Sequence, residues 1–198
     1  PAAVGAGSPL CSTLKTRSAI VFQQPVTRHV VLIGMMCSGK STVGRALAPL
    51  LGLPFIDLDR EIEGRTGALL PFVQREGEAA FRAVEAEVLA EVLAREASVI
   101  AAGGGTPAVP GNLELLQRSA TLAWLDVPLE ALMPRIELAG GDRPLLHGLK
   151  GEALRARVKA LLDERRAAYG SATIRVDADA PPAIVAQRLA AALRDQLR

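Results

Sequence analysis

The sequence predicts an α/β fold in which a parallel sheet is flanked by helices. From His29 onward, short apolar runs alternate with longer helical patterns, an order typical of strand–helix–strand units. A glycine-rich turn follows the first apolar run and leads into a helical stretch, which places a candidate ligand site at the end of a strand. Five apolar runs are candidate strands: residues 30–33, 54–56, 99–102, 121–125 and 173–176.

Two later segments predict long amphipathic helices. Residues 78–95 repeat apolar side chains at helical spacing, which predicts one buried stripe with Arg82 and Glu85 lying off it. A final helix follows Pro181 and Pro182, since proline is well tolerated at a helix start. The residues of this helix that we expect to be buried are Ile184, Val185, Leu189 and Leu193.

Length and composition indicate a single globular domain. The chain has 198 residues, of which 49% are hydrophobic and 22% are charged, enough for a sizeable core. Its net charge is only +2, and its dispersed Lys and Arg residues form no basic surface of the kind that binds nucleic acid. No apolar stretch approaches the roughly 20 residues that span a bilayer. We therefore expect no nucleic-acid partner and no membrane association, with a monomer as the default.

Residues 1–26 are expected to form an irregular N-terminal extension, and residues 27–198 one domain. The extension lacks the long apolar core of a secretory signal. The two cysteines, Cys11 and Cys37, could form at most one disulfide, and Cys37 lies in the glycine-rich turn, where a disulfide would obstruct the turn. These observations favour a reducing, cytoplasmic compartment.

The glycine-rich turn at residues 34–41 has the spacing of a P-loop, Gly-x4-Gly-Lys-Ser. Backbone N–H groups of such a turn point into one concavity, where they hold phosphate oxygens. Lys40 adds a positive charge for the outer phosphates, and the Ser41 hydroxyl is placed to bind Mg²⁺. The alternative is a tight turn that binds nothing, which the flanking strand and helix disfavour. The residues expected to contact ATP are Gly34, Met35, Met36, Cys37, Ser38, Gly39, Lys40, Ser41 and Thr42.

Two carboxylates, Asp57 and Asp59, follow the second predicted strand. Alternate residues leaving a strand project to the same side, so both can face the P-loop at the edge where such sheets bind ligands. One is expected to complete the Mg²⁺ shell, directly or through water, and the other to accept a proton from an attacking hydroxyl. Alternatively, Asp59 caps the following helix.

Two arginines and a run of glycines are candidates for binding a small acceptor molecule. The glycines end the third predicted strand, where they allow close backbone approach and offer N–H donors. They are Gly103, Gly104 and Gly105. Arg82 and Arg165 could together grip a carboxylate. The alternatives are a flexible turn and solvated charges, such as an i, i+4 pair of Arg82 with Glu78.

Residues 139–152 interrupt the alternation with several glycines and Arg143. A glycine-punctuated loop in a phosphoryl-transfer protein is suited to act as a lid, because its closure excludes water and delivers a cation to the transferring phosphate. The alternative is an ordinary surface loop with a solvated arginine.

Taken in order, these motifs resemble the shikimate kinase family from residue 29 to residue 198. The resemblance implies a nucleoside-monophosphate-kinase-like P-loop fold with a five-stranded parallel sheet and a lid. It also implies ATP-dependent phosphorylation of the 3-hydroxyl of shikimate, with Mg²⁺, as a step of aromatic amino-acid biosynthesis. The motifs are Gly34-x4-Gly39-Lys40-Ser41, Asp57-Leu58-Asp59, Gly77-Glu78-x2-Phe81-Arg82, Gly103-Gly104-Gly105, Arg143-Pro144-Leu145-Leu146 and Arg165-x3-Tyr169.

The resemblance implies roles for residues on the nucleotide side. Lys40 is similar to the lysine that contacts the β- and γ-phosphates. Ser41 resembles the Mg²⁺ ligand, and Asp57 resembles the second carboxylate of the metal shell. Arg143 is similar to the lid arginine that reaches the phosphates on closure, and Arg135 resembles a residue near the adenine.

On the acceptor side, Asp59 resembles the aspartate that binds the shikimate hydroxyls and serves as the base for the 3-hydroxyl. Arg82 and Arg165 resemble the pair that binds the shikimate carboxylate, with residues 103–105 lining the same pocket. The catalytic residues implied by the resemblance are Asp59, Lys40 and Arg143.

Cys37 stands where many members of this family have a glycine, so the loop must there accommodate a residue with a Cβ. A thiol among helix N-terminal amides can have a lowered pKa. We hypothesise that Cys37 can be modified and that bound nucleotide protects it. The alternative is an inert small residue.

Two rival functions stay open at this point. A small-metabolite kinase of the same fold, such as a gluconate kinase, would share the P-loop, but the second arginine and the triple glycine argue against it. A nucleotide-dependent switch or binding module would bind ATP without releasing ADP in response to shikimate.

Overall fold

A computed structural model describes residues 27–140 and 144–196. The described residues contain a five-stranded sheet, and every predicted strand is present. The strands are β1 His29–Ile33, β2 Phe55–Asp57, β3 Val99–Ala101, β4 Ala120–Asp126 and β5 Ile174–Asp177.

Helices connect the strands and cover the sheet. They are α1 Lys40–Leu51, α2 Leu58–Thr66, α3 Leu69–Leu93, α4 Asn112–Ser119, α5 Leu129–Ala139, α6 Gly151–Gly170 and α7 Pro182–Gln196. Gly77 interrupts α3 with φ 87°, a value outside the helical region, so α3 is two helical segments joined at a kink. The predicted helix at residues 78–95 is the second of these segments. Short 3₁₀ helices follow at Thr106–Ala108 and Pro144–Leu146.

The sheet is fully parallel and has the order β2-β3-β1-β4-β5. Ala101 of β3 pairs with both Leu32 of β1 and Asp57 of β2. This register brings the carboxyl ends of the three strands to one edge of the sheet. The segments that follow them therefore emerge side by side, which is the arrangement that builds ligand sites in open α/β sheets.

The core lies on both faces of the sheet, as the alternation of side chains along a strand requires. In β1, Val30 and Leu32 pack in one apolar cluster with α1, α5 and α7. Val31 and Ile33 pack in the other cluster, with residues of α2, α3 and α4. The P-loop therefore follows a strand that is buried on both faces.

One predicted core residue is exposed. Ile184 retains 42% of its surface, whereas Val185, Leu189 and Leu193 are buried as predicted. The buried stripe of α7 also includes Ala186 and so is centred one residue further along the chain than the prediction placed it. Ile184 consequently lies about 100° around the helix from Val185, on the solvent side.

No helix within residues 27–140 and 144–196 is long and apolar enough to cross a membrane. The N-terminal extension, residues 1–26, lies outside the described residues, and so does Arg143 of the predicted lid. The division of the chain into an extension and a domain, and the movement of the lid, stay predictions.

Candidate active site

The P-loop runs from the end of β1 to the start of α1. Gly34 has φ +140° and no space for a side chain, because a Cβ there would lie 2.7 Å from the carbonyl oxygen of Leu125. Gly39 precedes α1 in the left-handed region, and no side chain caps the helix. Cys37 is the only non-glycine residue of the described chain with positive φ, at 59°. The loop thus accommodates its Cβ at a conformational cost.

Lys40 lies across the loop rather than pointing to solvent. Its Nζ donates hydrogen bonds of 2.9 Å to the carbonyl oxygens of Gly34 and Met35, and the residue is only 9% exposed. The positive charge is therefore held over the concavity of the P-loop, where the outer phosphates of a nucleotide are expected.

A cavity of about 240 Å³ adjoins the P-loop. It is lined by Lys40, Ser41 and Thr42 of α1 and by the carboxylates of Asp57 and Asp59. The sequence prediction that the carboxylates face the P-loop is met in this geometry. The remaining lining residues are Met36, Cys37, Gly39, Ala101, Ala102 and Gly104.

Asp57 and Asp59 occupy different positions around the start of α2. Asp57 is the N-cap residue but makes no capping hydrogen bond through its side chain, and Asp59 lies in the first turn of the helix. The alternative that Asp59 caps the helix is therefore wrong. Burial raises the pKa of Asp59 above its usual 3.8; the charge of Lys40 opposes this shift, and the charges of Asp57 and Glu85 add to it.

A larger cavity of about 960 Å³ opens on the other side of the two carboxylates. It brings together all the residues that the sequence proposed for an acceptor: Asp59, Arg82, Gly103, Gly104, Gly105 and Arg165. Met36, Ser41, Asp57, Asp59 and Gly104 line both cavities, so the two adjoin.

Arg82 projects from the second segment of α3 and is held by two acidic partners. Its Nη1 donates to Glu85 at 2.7 Å and its Nη2 to Glu78 at 3.1 Å. Burial alone lowers the pKa of the Arg82 guanidinium, but these two carboxylates more than offset burial and raise it overall. Arg82 is therefore a fixed cation at the cavity wall, and the i, i+4 pair with Glu78, which the sequence offered as the alternative to a binding role, is present.

The sequence placed Glu85 off the buried stripe of its helix, and this prediction is wrong. Glu85 is 1% exposed and accepts a second hydrogen bond of 2.6 Å from the Thr106 hydroxyl. Its burial is possible because Arg82 and Thr106 satisfy the carboxylate. A helical pattern cannot show such pairing, although the position of Thr106, directly after the triple glycine, was a usable signal.

The side chains that line the cavity lie so close to the backbone of the triple glycine that they leave no space for a Cβ at Gly103 or Gly105. A Cβ on Gly105 would lie 3.0 Å from Nη2 of Arg82, and one on Gly103 would lie 2.8 Å from Oγ1 of Thr106 and 3.0 Å from Oδ1 of Asp59. Side chains at these positions would displace the groups that line the cavity.

Arg165 of α6 is 5% exposed, so the solvated alternative for this arginine is wrong. Its Nη1 lies 3.9 Å from Sδ of Met35 in the P-loop. One turn further along α6, Tyr169 is completely buried. The sequence noted Tyr169 only as part of a motif and assigned it no contact.

Arg135 and Cys37 are neighbours at the far end of the P-loop. Sγ of Cys37 lies 3.6 Å from the backbone oxygen of Arg135, whose side chain forms a 2.7 Å ion pair with Asp179. Arg135 therefore lies next to Cys37, which lines the cavity of the P-loop. Arg143 cannot be placed relative to it, because residues 141–143 lie outside the described part of the chain.

Comparison with known proteins gives the family. A family model described as shikimate kinase matches residues 36–194. The chain belongs to the shikimate kinase family. Shikimate kinase of Parabacteroides distasonis is 43% identical over 153 residues, which cover 77% of this chain and 88% of the relative. That of Gloeobacter violaceus is 45% identical over 160 residues, covering 80% and 88%.

Solved structures agree with this assignment. A shikimate kinase from Acinetobacter baumannii in complex with shikimate matches with a TM-score of 0.80 and 35% identity, covering 88% of this chain and 97% of that chain. A gluconokinase from Sinorhizobium meliloti matches with a TM-score of 0.57 at 20% identity, which shows a shared fold alone. As a shikimate kinase family member, the chain is an ATP-dependent kinase of aromatic biosynthesis that phosphorylates shikimate.

Proposed function

We propose that phosphoryl transfer from ATP to the 3-hydroxyl of shikimate takes place where the two cavities meet. The observation that carries this proposal is the position of Asp59, which lines both the cavity of the P-loop and that of the two arginines. A base at this junction can reach an acceptor hydroxyl while the hydroxyl faces the terminal phosphate.

The smaller cavity is proposed to hold the phosphates of ATP. The backbone N–H groups of the P-loop and of the first turn of α1 supply donors, and no side chain caps that helix start. Lys40 supplies the charge for the outer phosphates; on binding, its Nζ exchanges carbonyl oxygens for phosphate oxygens.

Mg²⁺ is proposed to bind beside Ser41 and Asp57. These two residues offer a hydroxyl and a carboxylate in one cavity, the hard oxygen ligands that Mg²⁺ prefers. In the described part of the chain, no group of three or more His, Cys, Asp or Glu residues could hold a metal by itself. The donor set therefore fits an ion that takes its other ligands from phosphate and water. When bound, Mg²⁺ neutralises charge that develops on the phosphate oxygens.

The larger cavity is proposed to hold shikimate. Arg82 and Arg165, two of the four arginines that line it, are proposed to bind the carboxylate, while the glycine backbone at residues 103–105 closes around the ring. Both guanidinium groups are held in place, Arg82 by two carboxylates and Arg165 by burial. Preorganised cations of this kind bind without losing much conformational entropy.

Asp59 is proposed to orient the 3-hydroxyl and accept its proton as the O–P bond forms. Phosphoryl transfer has a loose, charge-spread transition state, so the protein contributes chiefly positioning and electrostatic stabilisation. Lys40 supplies the latter from the P-loop, and Arg143 is proposed to add a second cation from the lid. A monomeric state and a cytoplasmic location stay predictions.

Coupled measurement of ADP release tests the reaction, with shikimate, gluconate or no acceptor in parallel. We expect ATP to be converted to ADP when shikimate is the acceptor, but not with gluconate or without an acceptor. ADP release that does not depend on shikimate, or ATP binding without turnover, would contradict the proposal and favour a nucleotide-binding module.

Two substitutions test whether one cavity binds shikimate and the other binds the phosphates of ATP. Arg82→Ala is expected to raise the KM for shikimate roughly tenfold or more, because it removes a charged hydrogen-bond donor from the acceptor. Lys40→Ala is expected to lower kcat, since its contact strengthens in the transition state. An unchanged KM for shikimate in Arg82→Ala would exclude the carboxylate clamp.

A further inference from the structure

Tyr169 makes one polar contact that the reaction as proposed does not use. Its hydroxyl donates a hydrogen bond of 2.5 Å to the carbonyl oxygen of Gly104, the middle residue of the triple glycine. Tyr169 is 0% exposed, and burial raises the pKa of its hydroxyl, while the charge of Arg165 and the hydrogen bond that Arg165 donates to this hydroxyl oppose the shift. The hydroxyl therefore stays protonated and serves as a donor.

Gly104 lies between the two halves of the site. A Cβ on it would lie 3.3 Å from Nη1 of Arg165, 3.3 Å from the backbone N of Met36 and 3.6 Å from the carbonyl oxygen of Gly34. There is therefore little space for a side chain at Gly104, which packs close to both the acceptor arginine and the P-loop. A shift of Gly104 changes its spacing to each of them.

Tyr169 and Arg165 are one helical turn apart on the same face of α6. The same rigid segment thus presents a guanidinium to the acceptor cavity and a hydroxyl to the glycine backbone that lines it. The hydrogen bond joins these two walls of the cavity, which are 65 residues apart in the sequence.

We propose that Tyr169 is a positioning residue for the acceptor: by holding the Gly104 carbonyl, its hydroxyl fixes the spacing between the Arg165 guanidinium and the glycine wall. This inference rests on the proposed role of Arg165 in binding the shikimate carboxylate. Without the hydroxyl, the Gly104 carbonyl loses its donor and the turn relaxes toward another partner. The carboxylate then meets a looser clamp, whereas the P-loop keeps its own hydrogen bonds.

Tyr169→Phe isolates the hydroxyl, because the ring and its packing stay. We expect the KM for shikimate to rise roughly five- to tenfold, with the KM for ATP and kcat changing less than about twofold. If the hydroxyl served only the stability of the fold, Tyr169→Phe would have a lower Tm, and its KM for shikimate would not rise more than its KM for ATP.

Trp124→Phe is the matched control. The Trp124 ring lies 5.9 Å from the Tyr169 ring, so this variant disturbs the same aromatic contact without removing the hydroxyl. We expect a lower Tm and an unchanged KM for shikimate. A similar rise of this KM in both variants would overturn the proposal, since packing would then explain the effect.

Arg165→Lys separates failure of this inference from failure of the proposed function. If Arg165→Lys leaves the KM for shikimate unchanged, the proposed carboxylate clamp is wrong. If Arg165→Lys raises that KM and Tyr169→Phe does not, the clamp holds and the positioning role is excluded.

A second measurement does not depend on Tyr169→Phe folding. Tyr169 is the only tyrosine of the chain, so growth on 3-fluorotyrosine labels this site alone. We expect its ¹⁹F resonance to shift on saturation with shikimate, because a carboxylate bound by Arg165, one helical turn away, changes the electric field at the Tyr169 ring. A resonance that shikimate leaves unmoved would contradict the proposal.

Discussion

Arg82 and Glu85 form an ion pair of 2.7 Å in which the carboxylate is almost completely buried and the guanidinium lies at the cavity wall. The pair fixes the direction of the cation, because Glu85 is itself held by Thr106. A buried charge of this kind is costly unless it is paired, so the two side chains depend on one another.

Glu85→Ala is therefore expected to reduce the free energy of unfolding by about 3 kcal/mol and to raise the KM for shikimate. The loss arises because Thr106 loses its acceptor and Arg82 loses the buried one of its two acceptors. Urea unfolding and steady-state kinetics measure the two effects. Glu91→Ala is the control: Glu91 pairs with Arg65 on the surface, and its loss is expected to change neither quantity. Equal effects of both variants would contradict the role of burial.

Glu78 is expected to compete with the acceptor for Arg82. Its carboxylate lines the larger cavity and accepts a hydrogen bond from Nη2 of Arg82, a donor that we propose for the shikimate carboxylate. Because Glu78 is mostly exposed, the pair is weak, and Glu78→Gln is expected to lower the KM for shikimate roughly two- to threefold.

Glu76→Gln provides the comparison for this variant, since Glu76 pairs with Arg75 in the first segment of α3 and does not line the cavity. Its KM for shikimate is expected to equal that of the unsubstituted protein. A higher KM in Glu78→Gln would show that Glu78 supports Arg82 instead of competing for it.

The Asp59 carboxylate is expected to lower the stability of the fold at neutral pH while it supports catalysis. Its pKa is raised above 3.8 because burial disfavours the charged carboxylate, so the folded state binds the proton more tightly than the unfolded chain does. Ionised Asp59 consequently destabilises the fold at neutral pH, and this cost is relieved as the pH falls through the raised pKa.

Asp59→Asn removes that charge. We expect a higher Tm than the unsubstituted protein at pH 7, a gain that shrinks as the pH approaches 4, and a fall in kcat of roughly a hundredfold or more. Thermal unfolding across this pH range checks the sign. A Tm difference that is constant with pH would exclude the electrostatic origin.

Cys37 is expected to react with iodoacetamide more slowly when nucleotide is bound. It lines the smaller cavity, where phosphates would cover it. In a Cys11→Ser background, which leaves one thiol, ADP with Mg²⁺ at about ten times its Kd is expected to slow labelling roughly tenfold. Mass spectrometry measures the rate. Equal labelling with and without ADP would contradict protection by nucleotide, and no labelling in either case would support the alternative of an inert residue.

The strands and the P-loop could be predicted because their signals are local. Apolar runs with glycine-rich ends mark a buried parallel strand, and the spacing from Gly34 to Ser41 is itself the geometry of the loop. Asp57 and Asp59 could be placed at the cavity for the same reason, since Asp57 ends β2 and Asp59 lies two residues further along the chain. The error at Ile184 is one of rotation around a helix, which a short stripe of small and large apolar residues defines poorly.

The burial of charged and polar groups could not be predicted in this way. Glu85 was expected to face solvent, and it is buried because Thr106, which lies 21 residues away, satisfies it. For Arg165 the sequence left a solvated charge open as the alternative to a binding role, and the burial of this side chain depends on Met35, 130 residues earlier in the chain. Such contacts depend on which elements the sheet order brings together. The spacing of apolar residues along a helix therefore cannot predict them.

The sequence by itself determined the α/β fold, the phosphate site and the candidates for an acceptor site, because each depends on neighbouring residues or on motif order. Only the tertiary structure decided how those candidates are held: Arg82 by Glu85, and Gly104 by Tyr169. The physical reason is that burying a charge or a carbonyl is tolerable only beside a partner, and the partner is supplied by the packing of distant segments.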